Sequence, residues 1–226
     1  MLGKLKPFEP NSIVVGDCLE VMARMPDRCV DLVVTDPPYG LKIARRSKNY
    51  GTRTELSRKA TGDSWDDFAP GKQYFEAIFR VSKNQIIFGG NYFWENLYAT
   101  PCYIIWDKRG NLPDVPFSPM EFAWTSFKRM PKKYLVRNHG FIRDSKDKRT
   151  GHPTQKPSEL FMSIITDFAE AGDLIFDPFM GSGTTAIAAD RLGHKWFGID
   201  ISEEYVVMAL KRIDDDRRKR SQLSLC

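Results

Sequence analysis

The sequence predicts an α/β fold: a mostly parallel sheet of seven strands with helices on both faces. Three observations predict it. Seven short apolar runs alternate with segments of helical period. Two of those runs end abruptly in Pro- or Gly-rich corners, over residues 35–40 and 177–184, as ligand-bearing turns of open sheets do. The 226 residues suffice for one domain with a sheet covered on both sides.

In chain order, Ser12-Ile13-Val14-Val15 reads as a buried strand ending at Gly16-Asp17. A helix follows over 18–25, with Leu19, Met22 and Ala23 on one face. Asp31 to Thr35 is a second strand. Residues 41–64 lose apolar periodicity and gain Arg, Lys, Ser and Thr, which predicts a mobile basic loop. A helix is expected over 73–82, a strand over 85–88 ending at Gly89-Gly90-Asn91, and a short helix over 92–99. Strands over 102–106 and 121–127 come next. The basic, irregular stretch 128–151 is expected to be loop, and 107–151 a recognition surface. Pro157 suits the first position of a helix running to Ala169, whose apolar stripe is Leu160, Phe161, Ile164, Ile165 and Phe168. Leu174-Ile175-Phe176 is a strand. An Ala-rich helix to Leu192 stops at Gly193, and Lys195 to Asp200 is the last strand. Ser202 caps a final helix, and residues 214–226 are expected to fray as a charged tail.

Composition narrows the function. An apolar fraction of 42% and charged fraction of 28% are ordinary for a globular domain. No apolar run reaches membrane-spanning length, and the N-terminus lacks a signal-peptide core. Cys18, Cys29, Cys102 and Cys226 form no Cys-x-x-Cys pair and read as reduced thiols, not a metal site, in a cytoplasmic, nucleoid-associated protein. The net charge of +5 is unevenly spread. Residues 41–60 hold seven Lys/Arg against Glu55, and residues 107–150 hold eleven against five acids. Two basic segments on an acidic body suggest a polyanion-facing side.

The chemistry concentrates at Thr35-Asp36-Pro37-Pro38-Tyr39-Gly40. The prolines cannot extend a ladder, so the backbone past the strand stays stiff and its carbonyls stay available. One carboxylate, a carbonyl and an aromatic ring suit a planar molecule carrying an amino group. Read blandly, the segment is a turn and Tyr39 a core ring. The second corner is Asp177-Pro178-Phe179-Met180-Gly181-Ser182-Gly183-Thr184, with Asp200 placed to accept ribose hydroxyls. Gly181 to Ala186 also satisfies a dinucleotide fingerprint, so a nicotinamide or flavin oxidoreductase is a rival. Its position in the last quarter of the chain leaves no room for a second mononucleotide half.

Asp-Pro-Pro-Tyr at 36–39 resembles the catalytic motif of the amino-methylating DNA methyltransferases, which move a methyl group from S-adenosylmethionine to adenine N6 or cytosine N4. Asp177 to Thr185 is similar to that family's Asp-Pro-Phe-x-Gly-Ser-Gly-Thr-Thr cofactor motif, and His152-Pro153-Thr154-Gln155-Lys156-Pro157 matches a third. The motif order resembles the circularly permuted beta-class group, with no match over 41–64 or 110–150. The resemblance implies a single Rossmann-like class I methyltransferase domain over 1–226, with the family's strand order 3-2-1-4-5-7-6 and the first strand here as the third. It implies Asp36, Pro37, Pro38 and Tyr39 as catalytic. It also implies a cofactor set of Asp17, Cys18, Asp36, His152, Thr154, Gln155, Lys156, Asp177, Pro178, Phe179, Gly181, Ser182, Gly183, Thr184, Asp200 and Ile201, with no metal.

The mechanism so implied has Asp36 and the Pro37 carbonyl accept the two amine hydrogens, localising the nitrogen lone pair for in-line attack. The target base must leave the stack, and Tyr39 would stack on it, with Trp65 and Trp106 as further lids or, more simply, core. Basic segments would hold phosphates of double-stranded DNA, and Arg137, Asn138 and Arg143 are the candidates for reading bases. The run Arg217-Arg218-Lys219-Arg220 reads as solvated tail. Asp36 favours adenine over cytosine within the family. N4-cytosine methylation, RNA or protein-glutamine methylation and a catalytically idle DNA-binding module stay open as alternatives. A homodimer is expected because the compact chain has limited surface for gripping a duplex. The family also admits a cognate restriction endonuclease.

Overall fold

The structure, a computed structural model, describes residues 9–41, 69–111, 118–139, 142–144, 147 and 155–223. The expected basic loop at 41–64 lies almost entirely outside these residues, as do Trp65, His152, Thr154 and Cys226.

The strands are β1 (Ser12–Val15), β2 (Val30–Thr35), β3 (Ser82–Phe88), β4 (Tyr103–Asp107), β5 (Met120–Thr125), β6 (Lys132–Leu135), β7 (Asn138–His139), β8 (Ile142–Arg143), β9 (Leu174–Asp177) and β10 (Lys195–Asp200). The helices are α1 (Cys18–Met22), α2 (Lys72–Val81), α3 (Ser158–Phe168), α4 (Thr184–Arg191) and α5 (Glu203–Leu223). The main sheet has eight strands in the order β1-β10-β9-β2-β3-β5-β4-β6, and β7 and β8 form a separate antiparallel pair. The pairs from β1 through β3 are parallel, and β5 runs antiparallel to both its neighbours. Its first seven positions reproduce the expected 3-2-1-4-5-7-6 order.

Helices cover both faces. Ile164 and Ile165 of α3, Ile187 of α4 and Ile213 of α5 pack with Leu32, Ile86 and Ile175 of the sheet. On the other face Cys18 and Met22 of α1 and Ile78 of α2 meet Val33, Phe176 and Phe197. The successive residues Leu32, Val33 and Val34 of β2 thus enter opposite clusters in turn, as the period of a strand requires. Trp106 is core, 1% exposed, with its indole N–H donated to the Val136 carbonyl at 2.9 Å.

Four expectations are corrected. The stretch read as loop over 128–151 contains β6 and the β7–β8 pair. β6 escaped notice because polar contacts hold it: Lys132 Nζ lies 2.8 Å from Asp167, and Tyr134 donates to the same carboxylate at 2.5 Å. The charged tail does not fray at 214, since α5 runs to Leu223. Its Asp216 and Arg220 pair with each other, Asp216 with Arg191, and Arg217 and Arg220 both with Asp190, so cations read as solvated are anchored on α4. Residues 92–99 form no α-helix. Two 3₁₀ turns, Gly90–Tyr92 and Trp94–Asn96, stand there, because Gly89 in the left-handed region turns the chain sharply. Pro157 caps α3 with extended backbone instead of opening it. Among the described residues, no helix is long and apolar enough to cross a membrane.

Candidate active site

Because β1, β10, β9 and β2 are parallel neighbours, their carboxyl ends open along one edge of the sheet. Val15 pairs with Asp200, Gly198 with Asp177 and Val33 with Phe176, so Asp17, Asp36, Asp177 and Asp200 line up there. A cavity of about 760 Å³ occupies this edge. Of the candidate residues, Asp17, Cys18, Asp36, Pro38, Gln155, Lys156, Asp177, Pro178, Phe179, Gly181, Ser182, Thr184, Asp200 and Ile201 line it. Pro37, Tyr39 and Gly183 are not among its lining residues. The Pro-rich and Gly-rich corners, far apart in sequence, therefore share one cleft.

Asp177 joins them. Its buried carboxylate accepts hydrogen bonds from Thr35 Oγ1 of β2 at 2.6 Å, Thr185 Oγ1 at 2.6 Å and Phe179 N at 3.0 Å. Burial pushes its pKa up to about 6, against the pull of those donors. Gly183 caps α4 in the left-handed region, and a Cβ there would lie 3.0 Å from Ala209 of α5. Gly181 N and Ser202 N both donate to Asp200, at 2.7 and 2.9 Å, which aims that carboxylate along the cleft. Burial raises the Asp200 pKa as well. Asp17 caps α1 through Leu19 N at 2.7 Å. Burial pushes the Cys18 thiol up to about 12, so it is an apolar wall and not a nucleophile. Ile201 sits on the rim, 75% exposed.

At the other corner Tyr39 donates its hydroxyl to Asp36 Oδ1 at 2.5 Å. Its ring stacks on Tyr92, with centroids 4.9 Å apart and planes at 21°. Gly89 makes room for that ring: a Cβ there would fall 2.1 Å from Tyr39 Cε1. The glycine is thus required twice, for its φ of +69° and for the close approach.

Asp36 Oδ2 accepts from Lys156 Nζ, and Lys156 Nζ also lies 3.2 Å from Glu121 Oε2. Lys108 Nζ stands 2.5 Å from the other oxygen of Glu121. The four charges alternate along Lys108, Glu121, Lys156 and Asp36. Burial pushes the Asp36 carboxyl above its ordinary range, with Lys156 pulling the other way and Glu121 adding to the rise. Burial opposes the Lys156 charge, yet Asp36 and Glu121 together hold its ammonium above the ordinary lysine range. Glu121 lies below its ordinary range because Lys156 and Lys108 outweigh its burial.

Residues 94–211, a little over half of the chain, match the N6_N4_Mtase family, described as DNA methylase. The chain belongs to this family. It is an S-adenosylmethionine-dependent DNA amino-methyltransferase of the N6/N4 group. Among curated relatives, the Type II methyltransferase M.HpaI of Haemophilus parainfluenzae is 27% identical over 243 aligned residues, 90% of this chain and 74% of that protein. M.HinfI of Haemophilus influenzae is 25% identical, covering 95% and 71%. The fold is shared with the M1.HpyAVI–SAM complex, at a TM-score of 0.57 and 24% identity over 89% of this chain and 98% of that one. It is also shared with the PvuII DNA methyltransferase (cytosine-N4-specific), at 0.59 and 18% over 96% and 95%. The dinucleotide rival is thereby set aside.

The cleft of this methyltransferase fits its cofactor chemically. Asp200 and Asp17 offer acceptors for a ribose diol, while Cys18, Phe179 and Ile201 offer apolar surface for a purine. An edge carrying Asp36 and Asp177 suits a cationic sulfonium. Sequence reasoning missed Glu121, Lys108, Tyr92 and the α2 residues Gln73 and Tyr74 that also line the cavity. A lone acid between Met120 and the apolar Phe122-Ala123-Trp124 was a signal for Glu121. Tyr92 carried none, since its place depends on the turn at Gly89. Of the residues expected to read bases, Arg137 pairs with Asp144 at 3.0 Å and Asn138 lies on β7; the Arg143 side chain is outside the described residues.

Proposed function

We propose that this methyltransferase transfers a methyl group to the N6 amino group of adenine in duplex DNA. The observation that carries the reading is Asp36, a carboxylate at the carboxyl end of β2, in one cavity with the Gly-rich corner. Asp at this position is the residue that the family resemblance links to adenine. Bound S-adenosylmethionine supplies an electrophilic methyl group on a sulfonium. Asp17, Cys18, Gln155, Phe179, Gly181, Ser182, Thr184, Asp200 and Ile201 line the cavity that would hold that cofactor.

Asp36 and the Pro37 carbonyl accept the two hydrogens of the incoming amine, which localises the nitrogen lone pair for attack. An ionised Asp36 accepts on both oxygens, and the Tyr39 hydroxyl and Lys156 ammonium leave lone pairs for the amine. The base reaches this corner only when swung out of the stack, and Tyr39 is the ring on which it stacks, on the face away from Tyr92 or in place of it. The described part of the basic middle contributes fewer phosphate ligands than its composition suggests. Lys108, Lys132, Lys133 and Arg137 each pair with an acid of the fold. Phosphate contacts are therefore left to the other cations of 41–64 and 143–149, and a homodimer would enlarge the grip.

Mass spectrometry of digested duplex DNA after incubation with labelled cofactor tests this reading. N6-methyladenine supports it. N4-methylcytosine alone transfers the assignment to the second reading, which the fold shared with the PvuII enzyme favours.

A further inference from the structure

We propose that Glu121 is a positioning residue for methyl transfer, tethering Lys156 Nζ on Asp36 so that the Asp36 carboxylate stays turned to the cleft. This rests on the role proposed above for Asp36. The geometry begins with β5. Glu121 shares its side of that strand with Ala123 and Thr125, both fully buried, so its carboxylate turns to the inner face of the sheet, with its side chain 22% exposed. It meets two cations there, Lys156 Nζ at 3.2 Å and Lys108 Nζ at 2.5 Å.

Lys156 explains why the carboxylate is needed. Its side chain is only 8% exposed, and it emerges just before α3, directly beside the cofactor cleft. An ammonium there has two destinations, the Asp36 side and the cofactor side. Asp36 binds one of its protons, and the rings of Tyr39 and Phe88 lie 5.7 and 5.5 Å away. Glu121 supplies a second negative charge on the Asp36 side and so settles the direction. Burial disfavours the charge of Asp36, which makes the nearby cation more necessary.

Stability alone does not account for the arrangement. A buried ion pair contributes little compared with apolar residues filling the same space. What four alternating charges provide is a fixed orientation. With Oδ2 held by Lys156 and Oδ1 by Tyr39, the Asp36 carboxylate plane cannot rotate away from the cleft.

The test is the single-turnover rate of methyl transfer to duplex DNA from labelled S-adenosylmethionine, for the parent protein, D36A, E121Q and K108M. Rates are measured from about pH 6 to about pH 10, the span in which a perturbed lysine titrates. The parent should hold its rate to the alkaline end, because two carboxylates keep Lys156 charged. E121Q should lose roughly tenfold at neutral pH and gain an alkaline limb one to two units lower, about the effect of removing an opposite charge in contact. Its cofactor affinity should stay within about twofold, which separates lost orientation from lost binding. K108M should shift the other way, with its acid limb moving up, because an unbalanced Glu121 makes Asp36 easier to protonate.

Parent-like rate and pH profile in E121Q, or a loss in E121Q wholly explained by cofactor affinity, would overturn the proposal. Should E121Q lack a cooperative melt, K108M decides: an unshifted acid limb overturns the proposal too. An active D36A instead refutes the role of Asp36 itself, whereas an inactive D36A beside an unchanged E121Q refutes Glu121 alone.

Discussion

Replacing Gly89 by Ala probes how the base corner is built. The residue sits at φ +69°, where an L side chain costs about 1–2 kcal/mol. The new Cβ would fall 2.1 Å from Tyr39 Cε1 and 2.6 Å from Cδ1 and Cζ, so the ring must leave its seat. Leaving breaks the Tyr39 hydrogen bond to Asp36, worth about 1.5–3 kcal/mol as a bond to a charged group. It also loosens the stack on Tyr92, worth about 0.5–1.5 kcal/mol. The sum is a destabilisation of roughly 3–6.5 kcal/mol, or about 6–26 °C in Tm for a domain of this size. Urea melts of the parent, G89A, Y39A and the double variant separate the parts. Without the Tyr39 ring, the alanine costs only its backbone strain, so the cycle should show a coupling of about 2–4 kcal/mol. A coupling below about 0.5 kcal/mol would mean that Tyr39 does not rest on Gly89, and the reasoning would fail.

Asp36→Ala should lower the single-turnover rate at saturating S-adenosylmethionine by roughly 10²–10⁴, read by labelled methyl in DNA. Asp147→Ala should destabilise by about 3–5 kcal/mol in urea, because it strips Arg212, only 10% exposed, of its carboxylate. It should also weaken cofactor binding, since Arg212 donates to the Ser182 carbonyl and Thr184 Oγ1 of the Gly-rich corner. Asp107 carries a pH signature. Hydrogen bonds from Gly110 N and Lys133 lower its pKa to about 2. A folded pKa below the unfolded value means stability that is present above pH ~4 and lost as pH falls toward ~2. Asp107→Asn should remove that acid-side loss, about 2–3 kcal/mol, from a plot of stability against pH.

Much of the architecture was legible because it is local. The seven expected strands exist, and Gly193 ends α4 at φ +77°. What misled was polar chemistry standing in for apolar pattern. β6 reads as loop because lysines and a tyrosine anchored on Asp167 take the place of an apolar stripe. The end of α5 reads as tail because its arginines look solvated until Asp190 is brought alongside. The turn at Gly89 cancels the helix expected over 92–99, and the same turn delivers Tyr92 to Tyr39.

By itself the sequence determined the two corners, since a proline without an N–H and a glycine without a Cβ constrain backbone whatever surrounds them. It also determined their order along the chain, and through that order the topology. Only the tertiary structure decided where Lys156 points. It belongs to a motif read as cofactor-binding, yet its ammonium rests on Asp36, 120 residues away. Charge acts through space and not along the chain, and that choice was made by β5 when it brought Glu121 beside Lys156.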